Sequence, residues 1–478
     1  MRSLSIGRLA ILSIFLLFGR AAFGESTPSP ALSATQERNS LPPDITKKID
    51  ETATKMLSQS GVPSASIAVV KDEKLAYAKA YGFADIVSRR SATTSMIYSI
   101  GSISKQFTAA SILLLAEEGK LSLDDPVGRW LTDVTRANEV TIRQVLSMTS
   151  GYQDFWPQDY VMPSMMKSVS PQEILKGWAQ KPLDFEPGTK WQYSNTNFVA
   201  AGVIVERLSD MPMLDFLKRR VFDPLGMKSV FDCDSSALPT GAPAGYHRYG
   251  LGPARPAPKE AKGWLFAAGE LAMTASDLAK WDISMIDQTV LKPESYREMQ
   301  RAELLKSGAS SQYGLGIGVS LVNGRRVLAH GGEVSGFTAE NVVYPDDRAA
   351  VIVLTNMDAN RAAVNLAEKI GEIIFAPTGN RDSLAKAQAI LVGLQKGQID
   401  RSLFTDNANA YFDRQCLHDL ANSLASLGAP TDFELISEGL RGGMSAHRYR
   451  AKFQKKTLEI STYAMPDGKF EQYIVSAE

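Results

Sequence analysis

The sequence predicts an α/β fold: an antiparallel sheet flanked by helices, a helical lobe inserted into it, and an additional small α+β domain at the C-terminus. Alternating apolar and polar residues, typical of strands, occur at residues 64–81 and return at 313–356. Between them, from about residue 121 to 300, helical patterns are broken by Pro and Gly. After Pro377-Thr378-Gly379 the composition changes. This order implies one sheet built from distant segments and a cleft between two lobes.

The 478 residues exceed one ordinary domain, which predicts two or three domains. Residues 25–43 are rich in Ser and Pro and predict a disordered leader. We place the segments at residues 1–24 for a signal peptide, 25–43 for the leader, 44–378 for the main domain and 383–478 for an accessory domain.

The N-terminus has the pattern of a secretory signal. Arg2 and Arg8 form a positive region, residues 9–18 are apolar, and Ala22-Phe23-Gly24 offers small residues to a signal peptidase. We therefore expect a protein of the bacterial periplasm or the extracellular space. The alternative is an uncleaved N-terminal anchor, because Arg20 disturbs the cleavage region. No later stretch of the sequence is long and apolar enough to span a membrane.

The main domain begins with a hairpin and a helix. Residues 64–70 and 74–81 alternate around a polar connection, which predicts two paired strands. Residues 102–118 are apolar at helical spacing, and Gly119 lies where a helix C-cap belongs. The helix is therefore expected to be buried and to end at a defined residue.

Strand character returns in the second half of the main domain, before a closing helix at residues 362–374. The expected strands cover residues 313–321, 325–330, 337–344 and 350–356. In the accessory domain, residues 383–396 and 406–427 are expected to be helical, and residues 431–475 to form a small antiparallel sheet.

Charge and cysteine content exclude several classes of protein. The 52 basic and 52 acidic residues cancel, so there is no electrostatic reason to expect a nucleic-acid partner. Cys233 and Cys416 lie in different predicted domains, which predicts two free thiols. The four histidines are scattered without metal-ligand spacing, so we predict neither a metal nor a cofactor.

A serine followed by lysine three residues later places both side chains on one helix face. Such a lysine can take the proton of the serine and make the hydroxyl nucleophilic. Three serines have this spacing: Ser102, Ser164 and Ser383. Ser102 alone begins a long buried helix, where free backbone N–H groups stabilise an anion, whereas Ser164 lies in an irregular stretch and Ser383 is expected to cap a helix. We therefore predict Ser102 as the nucleophile and Lys105 as its proton partner.

The second motif is Tyr193-Ser194-Asn195, which contains the only one of 15 tyrosines that is followed by x-Asn. A tyrosine can act as a general base if a neighbouring ammonium lowers its pKa, and Lys105 could supply that charge. Asn195 is expected to donate its amide to a substrate carbonyl or to the lysine. The alternative is a plain surface loop, because Pro187-Gly188-Thr189 just upstream is typical of a turn.

The third motif, His330-Gly331-Gly332, lies between two predicted strands. Glycines in a strand allow a ligand to approach the backbone closely, so we expect the motif and Glu333 to bind substrate. The backbone N–H of Glu333 would be an oxyanion donor. A competing motif, Lys306-Ser307-Gly308, lies in a polar loop without strand flanks. The alternative for His330 is a histidine whose hydrogen bonds are satisfied within a sheet edge.

The order Ser-x-Ser-Lys, Tyr-x-Asn and His-Gly-Gly resembles the serine β-lactamase-related family. That family includes class C β-lactamases, D-alanyl-D-alanine carboxypeptidases, D-aminopeptidases and β-lactamase-like esterases. The similarity covers roughly residues 45–375 and includes GSISKQFTAASILLLAEEGKLSLDDPV, FEPGTKWQYSNTNF and HGGEVSGF. It implies the β-lactamase/transpeptidase-like fold for the main domain.

The resemblance also implies roles for the motif residues. It implies that the substrate acylates Ser102 and that Lys105 is the proton partner of this serine. Tyr193 would activate Ser102 and later the deacylating water, and Asn195 would contact the substrate amide. The N–H groups of Ser102 and Glu333 would form the oxyanion hole. Whether lysine or tyrosine is the acylation base stays open.

One departure from the family bears on the substrate. Class C β-lactamases carry Lys-Thr-Gly where this chain has His330-Gly331-Gly332, and a mostly neutral histidine suits a substrate carboxylate less well than an ammonium. Arg361 could replace that contact, or it could be a solvated arginine at a helix start. Residues 152–167, rich in aromatics and methionine, are expected either to wall an acyl pocket or to pack inside the helical lobe.

We therefore expect an exported serine hydrolase that cleaves a carboxylic ester, an amide or a D-amino-acid peptide without a cofactor. Its partner would be a small-molecule ester or peptide substrate, with no nucleic acid and no membrane span after signal cleavage. Two alternatives stay open. One is a weak β-lactamase or penicillin-binding protein. The other is a catalytically idle protein that senses peptidoglycan fragments or contacts another protein through residues 383–478.

Overall fold

The structure, a computed structural model, describes residues 38–158, 160–322, 325–375 and 379–477, so the predicted signal peptide lies outside the described residues. The strands, in chain order, are β1 Arg38–Asn39, β2 Ser64–Lys71, β3 Lys74–Asp85, β4 Arg90–Ser91, β5 Tyr98–Ser99, β6 Phe231–Asp232, β7 Tyr246–His247, β8 Arg255–Pro256, β9 Leu271–Met273, β10 Gly318–Val322, β11 Arg325–Val334, β12 Phe337–Tyr344, β13 Ala349–Thr355, β14 Asp432–Arg441, β15 Met444–Lys452, β16 Thr457–Ala464 and β17 Phe470–Ala477. The α-helices are α1 Pro43–Ser60, α2 Ser104–Glu117, α3 Ile142–Leu146, α4 Pro171–Ile174, α5 Asn195–Ser209, α6 Met213–Leu217, α7 Asp223–Leu225, α8 Ala275–Asp287, α9 Pro293–Met299, α10 Ala362–Ile374, α11 Gly379–Leu394, α12 Asp406–Tyr411 and α13 Arg414–Leu424.

The main sheet has eight strands and joins the two ends of the main domain. Its order is β1-β3-β2-β13-β12-β11-β10, with β4 paired to β3. Every pair in it is antiparallel. Ile67 of β2 lies opposite Val353 of β13, so segments far apart in the sequence are neighbours in the sheet. The predicted antiparallel sheet built from distant segments is confirmed.

Helices cover both faces of this sheet, and the strand period of two divides the core into two layers. Ile352 and Leu354 pack with α2 and the helical lobe. Val351 and Val353, which point to the opposite face, pack with α1 and α10. All residues of β12 and β13 are buried as a result. The apolar runs of these strands therefore follow from a sheet that is covered on both sides.

The helix α2 runs through the first layer of the core. A short 3₁₀ turn at Gly101–Ile103 leads into it, and its residues from Ser104 to Leu115 are all buried. The helix ends at Glu117, and Gly119 follows at φ +73°, as its predicted place after the helix requires. The helices α3–α9 lie between β5 and β10 in the chain and build the helical lobe.

The predicted leader ends earlier than expected. Within residues 25–43, Arg38–Asn39 pairs with Tyr77 and Ala78 of β3, and α1 already begins at Pro43. A proline suits the first turn of a helix, because the N–H that it lacks has no partner there. The rest of the predicted leader, residues 25–37, lies outside the described residues.

Two other expected elements are shorter than their sequence patterns. The strand expected at 313–321 begins only at Gly318, because a turn with Gly316 at φ +73° precedes it. The helix expected at 406–427 is interrupted, because the Asp413 side chain accepts from the Cys416 N–H and starts α13. The turn expected at residues 323–324 lies outside the described residues.

The C-terminal segment has its own hydrophobic cluster. This cluster draws its side chains from residues 384–475, whereas the two clusters of the main domain contain no described residue after Phe375. Its sheet is a simple antiparallel meander in the order β14-β15-β16-β17. Glu37–Glu478 nevertheless forms one compact unit by its backbone contacts. The predicted boundary lies between residues 378 and 383. Residues 376–378 lie outside the described residues and α11 already begins at Gly379, so the division into two domains stays a prediction.

The two cysteines are free thiols, as predicted; Cys233 is buried and Cys416 is half-buried. Burial raises the pKa of both thiols, which keeps them protonated. Each helix in the described part of the chain is too short or too polar to cross a bilayer.

Candidate active site

Ser102 lies in the 3₁₀ turn at the head of α2, half-buried at the wall of a cleft. The turn depends on Gly101, which adopts φ +51°, a conformation that side chains with a Cβ disfavour. A Cβ at Gly101 would also lie only 2.6 Å from the backbone N of Glu333. The glycine therefore lets β11 pass directly beside the predicted nucleophile.

Lys105 follows one helical turn after Ser102 and is completely buried. Its Nζ lies 2.8 Å from Ser102 Oγ and donates to the Ala268 carbonyl at 2.7 Å. The ring of Tyr193 lies 5.0 Å from this nitrogen. Burial lowers the pKa of Lys105 to about 7, although the negative charge of Asp154 opposes the shift. Near neutral pH, a large fraction of the amine is therefore unprotonated.

Tyr193 precedes α5 and reaches Ser102 from the helical lobe, where its hydroxyl donates to Ser102 Oγ at 2.7 Å. Burial raises the pKa of Tyr193, the hydrogen bond to Ser102 lowers it by less, and Asp154 adds to the rise. The prediction that Lys105 lowers the pKa of Tyr193 is wrong. The cause is burial, which raises the pKa of the phenol and discharges the amine that would have acted on it.

Asn195 is the first residue of α5, and it lines the cleft. Its backbone N–H donates to Asp154 at 2.9 Å and its side-chain amide donates to the same carboxylate at 3.4 Å. We expected this amide to contact the lysine or a substrate. The hydrogen bonds of Lys105 go instead to Ser102 and Ala268, while the contact of Asn195 with a substrate stays a prediction.

His330 is buried in β11, and both of its ring nitrogens are occupied. Nδ1 lies 2.6 Å from the Gly331 carbonyl, which can only accept, so Nδ1 carries the proton. Nε2 therefore accepts from the hydroxyl of Tyr313 at 2.8 Å. Burial, with a contribution from the nearby Lys105, lowers the pKa of His330 to about 4. The expected neutral histidine is present, and it has the satisfied hydrogen bonds of the alternative interpretation.

The two glycines that follow His330 have different surroundings. A Cβ at Gly332 would lie 1.9 Å from the Ile100 carbonyl, so this glycine accommodates the protein's own backbone rather than a ligand. Gly331 is exposed towards the cleft. Because β10 pairs with β11 at residues 325–329, the edge of β11 beyond them is left open towards the cleft.

The cleft has a volume of about 780 Å³ and brings the predicted site residues together. These are Ser102, Tyr193, Asn195, His330, Gly331, Gly332 and Glu333. Both interpretations of residues 152–167 are partly correct: Phe155 and Met165 are buried in the core, whereas Trp156 and Tyr160 line the cleft. An aromatic wall thus faces the open edge of β11.

The competing motifs lie away from this cluster. Ser164 is exposed in a 3₁₀ turn, and Lys306-Ser307-Gly308 is an exposed loop. Ser383 does not cap a helix as expected, because α11 begins four residues earlier at Gly379. Arg361 lies exposed just before α10, in agreement with the solvated interpretation.

A family model described as Beta-lactamase matches residues 49–373, most of the chain. The chain belongs to the Beta-lactamase family of serine hydrolases. The predicted resemblance to the serine β-lactamase-related family is thereby confirmed. This Beta-lactamase family protein is 28% identical to a D-aminopeptidase of Brucella anthropi over 342 residues, which are 69% of this chain and 63% of that protein. The chain therefore spans less than two thirds of the length of this D-aminopeptidase.

Two solved structures share the fold of this Beta-lactamase family protein. A D-amino acid amidase from Ochrobactrum anthropi SV3, complexed with L-phenylalanine amide, superposes with a TM-score of 0.61 at 23% identity, covering 71% of this chain and 99% of the amidase. An octameric penicillin-binding protein homologue from Pyrococcus abyssi gives a TM-score of 0.61 at 20% identity and covers 90% of this chain and 99% of that one. The predicted fold class is confirmed by both.

Three residues around the site were not predicted from the sequence of this family member. Ala268 accepts from the lysine, Asp154 accepts from Asn195, and Tyr313 donates to His330. Asp154 lies within residues 152–167, which were expected to form a pocket wall or to pack inside the lobe, and Ala268 acts through a backbone carbonyl, which leaves no signal in a sequence. Within the described residues, no three His, Cys, Asp or Glu side chains are grouped so as to hold a metal ion.

Proposed function

We propose that this protein is an exported serine hydrolase that cleaves an amide or peptide bond of a D-amino acid, or a carboxylic ester, through an acyl-enzyme on Ser102. One observation carries the proposal: Ser102 Oγ lies 2.8 Å from the buried amine of Lys105 and 2.7 Å from the phenol of Tyr193. A hydroxyl placed between a base and a proton donor, at the head of a helix, is the arrangement of an activated nucleophile.

Lys105 is the acylation base in this proposal. Its pKa of about 7 leaves neutral amine at physiological pH, whereas the raised pKa of Tyr193 keeps the phenol protonated. Ser102 Oγ bonds to the substrate carbonyl carbon while its proton passes to Lys105 Nζ. The backbone N–H groups of Ser102 and Glu333 stabilise the resulting oxyanion.

Breakdown of the intermediate returns the proton. As the bond from the carbonyl carbon to the leaving nitrogen or oxygen breaks, Tyr193 donates its proton to the leaving group and regains one from the Lys105 ammonium. Water then attacks the acyl-enzyme and gives one proton to the neutral amine of Lys105. The C–Oγ bond breaks as the Lys105 ammonium returns this proton to Ser102 Oγ, and the acid product leaves. The protein ends each cycle in its starting protonation state.

Several observations support the substrate class and the location. The relatives bear the names D-aminopeptidase and D-amino acid amidase, and both are amide-cleaving activities. The neutral His330 in place of an ammonium disfavours a substrate carboxylate, and thus penicillins as the main substrates. The positive and apolar pattern of residues 1–24 supports export.

The proposal is tested by intact-mass measurement after incubation with a fluorophosphonate, and separately with benzylpenicillin. We expect wild type to gain one fluorophosphonate adduct and Ser102→Ala to gain none. Ser164→Ala is the matched control, because Ser164 has the same spacing to a lysine but is exposed, and it should label like wild type. Turnover of D-alanine p-nitroanilide and of p-nitrophenyl acetate then separates amide from ester hydrolysis.

The other functions correspond to other outcomes. Rapid adducts with both reagents would favour a β-lactamase or a penicillin-binding protein. No adduct with either reagent, in a folded protein, would contradict the hydrolase and favour an idle binding protein.

A further inference from the structure

Most of the charged side chains that line the cleft around Ser102 are acidic. Among the described residues that line it, four are acidic and one is basic: Asp154, Glu333, Glu340, Asp358 and Arg248. The guanidinium of Arg248 lies at the end of α1, 3.1 Å from the place that a Cβ at Gly61 would occupy. The positive charge of this arginine is therefore directed towards a helix C-terminus, where it is stabilised.

Three of the four carboxylates are held by backbone N–H groups of the protein. Asp154 accepts from the N–H at the start of α5 at 2.9 Å. Glu333 accepts from the Ala359 N–H at 2.7 Å, and Asp358 accepts from the Gly336 N–H at 2.8 Å. These carboxylates shape the loops around the cleft, and their charges are partly compensated by the donors.

Glu340 is different, because it is buried without such a partner. It is 8% exposed, yet no hydrogen bond or ion pair within the described residues involves its carboxylate. Burial and the negative charge of Glu368 raise the pKa of Glu340 to about 7, although Arg361 opposes the rise. Glu340 lines the cleft and no protein group bonds to its carboxylate, so this carboxylate is available to a ligand in the cleft.

The strand pairing places Glu340 next to the third motif. It lies opposite Gly331 in the β11–β12 pair, and a Cβ at Gly331 would lie 3.2 Å from Glu340 Oε2. A side chain at position 331 would therefore cover the carboxylate, whereas glycine leaves the approach open. Within the described residues the β10–β11 pairing reaches only to Ala329, and Ser102 and Glu340 line the same cleft on the two sides of this edge, so one substrate can contact both.

We propose that Glu340 forms a cation subsite of the cleft and binds the positively charged amine of the substrate beside the His330-Gly331-Gly332 edge. The inference rests on the proposed hydrolase function and narrows its substrate class to amides or peptides that carry a free ammonium group. The same acidic wall repels a substrate carboxylate.

A charge series of substrates tests this subsite. D-alanyl, N-acetyl-D-alanyl and N-succinyl-D-alanyl p-nitroanilides carry a positive, a neutral and a negative group at the same nitrogen. We expect kcat/KM of wild type to fall in that order. Glu340→Gln should lower kcat/KM for the free amine roughly tenfold and leave the acetylated substrate within about threefold, as expected for the loss of one charge partner.

Glu260→Gln is the matched control for burial. Glu260 is 6% exposed and burial raises its pKa to about 7, as for Glu340, but it does not line the cleft. We expect this variant to keep the selectivity of wild type. Thermal melts of both variants establish that each is folded. If Glu340→Gln fails to fold, the order of the three substrates in wild type decides alone.

The outcomes separate the subsite from the hydrolase. Equal effects of Glu340→Gln on all three substrates, or a wild-type preference for the succinylated one, overturn the subsite. If the fluorophosphonate still labels Ser102 in that case, the hydrolase proposal stands. If wild-type protein is not labelled, both the hydrolase and the subsite are contradicted. If none of the three p-nitroanilides is turned over, protection of Ser102 from fluorophosphonate labelling is measured instead. We expect D-alaninamide to protect better than N-acetyl-D-alaninamide, and equal protection overturns the subsite.

Discussion

Burial sets the protonation state of the three ionisable side chains around Ser102, namely Lys105, Tyr193 and His330. Burial removes the proton from Lys105 and holds it on Tyr193, because in both cases the charged form is the one that is disfavoured. His330 stays neutral for the same reason. One physical cause thus produces a base, a proton donor and an uncharged wall around Ser102.

This assignment predicts the pH dependence of acylation. The base must be unprotonated, and the pKa of Lys105 is lowered to about 7, so kcat/KM should rise as the pH rises through about 7 and then level off. Lys105→Arg, which stays protonated, should lose about 10²–10⁴-fold of the activity across this range. Stopped-flow acylation by a p-nitrophenyl ester at several pH values measures both.

A flat profile across this range would contradict the role of Lys105, as would an active Lys105→Arg. Tyr193→Phe serves as the comparison variant, because it removes the proton donor but leaves the amine. It should act more slowly than wild type while keeping the same inflection near pH 7, since Lys105 sets that inflection.

The motif residues could be predicted because their spacing carries the chemistry. Ser102 and Lys105 are one helical turn apart, and Tyr193 is followed by its asparagine. The pKa values could not be predicted, because they depend on the depth of burial. Tyr313 was expected in a strand, yet it lies before β10 in an isolated β-bridge with Gly318, and from there its hydroxyl reaches His330.

Among the secondary-structure elements, the turn before α2 and the strand β11 matter most for the site. They contact each other through two glycines: Gly101 lies against the Glu333 backbone, and Gly332 lies against the Ile100 carbonyl. The two proposed oxyanion donors are therefore held at a fixed separation by backbone packing. Preorganised donors of this kind act without reorganisation during the reaction.

Gly332→Ala tests this contact. The added Cβ would lie 1.9 Å from the Ile100 carbonyl, so β11 must move away from the turn. We expect a loss of about 1–3 kcal/mol in the free energy of unfolding and slower labelling of Ser102. Thermal melts and fluorophosphonate labelling rates measure the two effects.

Gly331→Ala is the control for stability. Its Cβ would meet only the end of the flexible Glu340 side chain at 3.2 Å, so the melting temperature should stay close to that of wild type. Equal destabilisation by both variants would mean that the contact with Ile100 has no special role.

Helix and strand identities were largely predictable from hydrophobic periodicity, as in β2, β3, β12 and α2. Boundaries set by single residues were less so. Asp413 caps α13 and so interrupts the helix that was expected at residues 406–427. The turn at Gly316 makes the strand expected at residues 313–321 begin later than its sequence pattern. The isolation of Glu340 was not predictable, because it depends on which residue of β11 lies opposite it.

The chain as a whole consists of a main domain with two hydrophobic clusters and a C-terminal segment with a third. The similarity to the Pyrococcus abyssi structure covers 90% of the chain, more than the 49–373 region of the family match. The similarity in fold to that structure therefore extends beyond the family region of this chain. The predicted protein contact through residues 383–478 stays a prediction.

A chain that ends after Phe375 should fold and keep hydrolase activity. In the described residues, the two hydrophobic clusters of the main domain contain no side chain after Phe375. Deleting α11–α13 and β14–β17 therefore creates no cavity in these two clusters. Gel filtration, thermal melting and fluorophosphonate labelling measure the outcome. Aggregation, or a melting temperature far below that of the full chain, would show that the two parts depend on each other.

The burial of Lys105 has a consequence for the chain before it folds. In an unfolded polypeptide a lysine titrates at about 10.4, so at neutral pH its amine is an ammonium that cannot accept a proton. The serine is then no more reactive than any other alcohol in water. Latency before folding therefore needs no inhibitor, because the base forms only when α2 packs into the core.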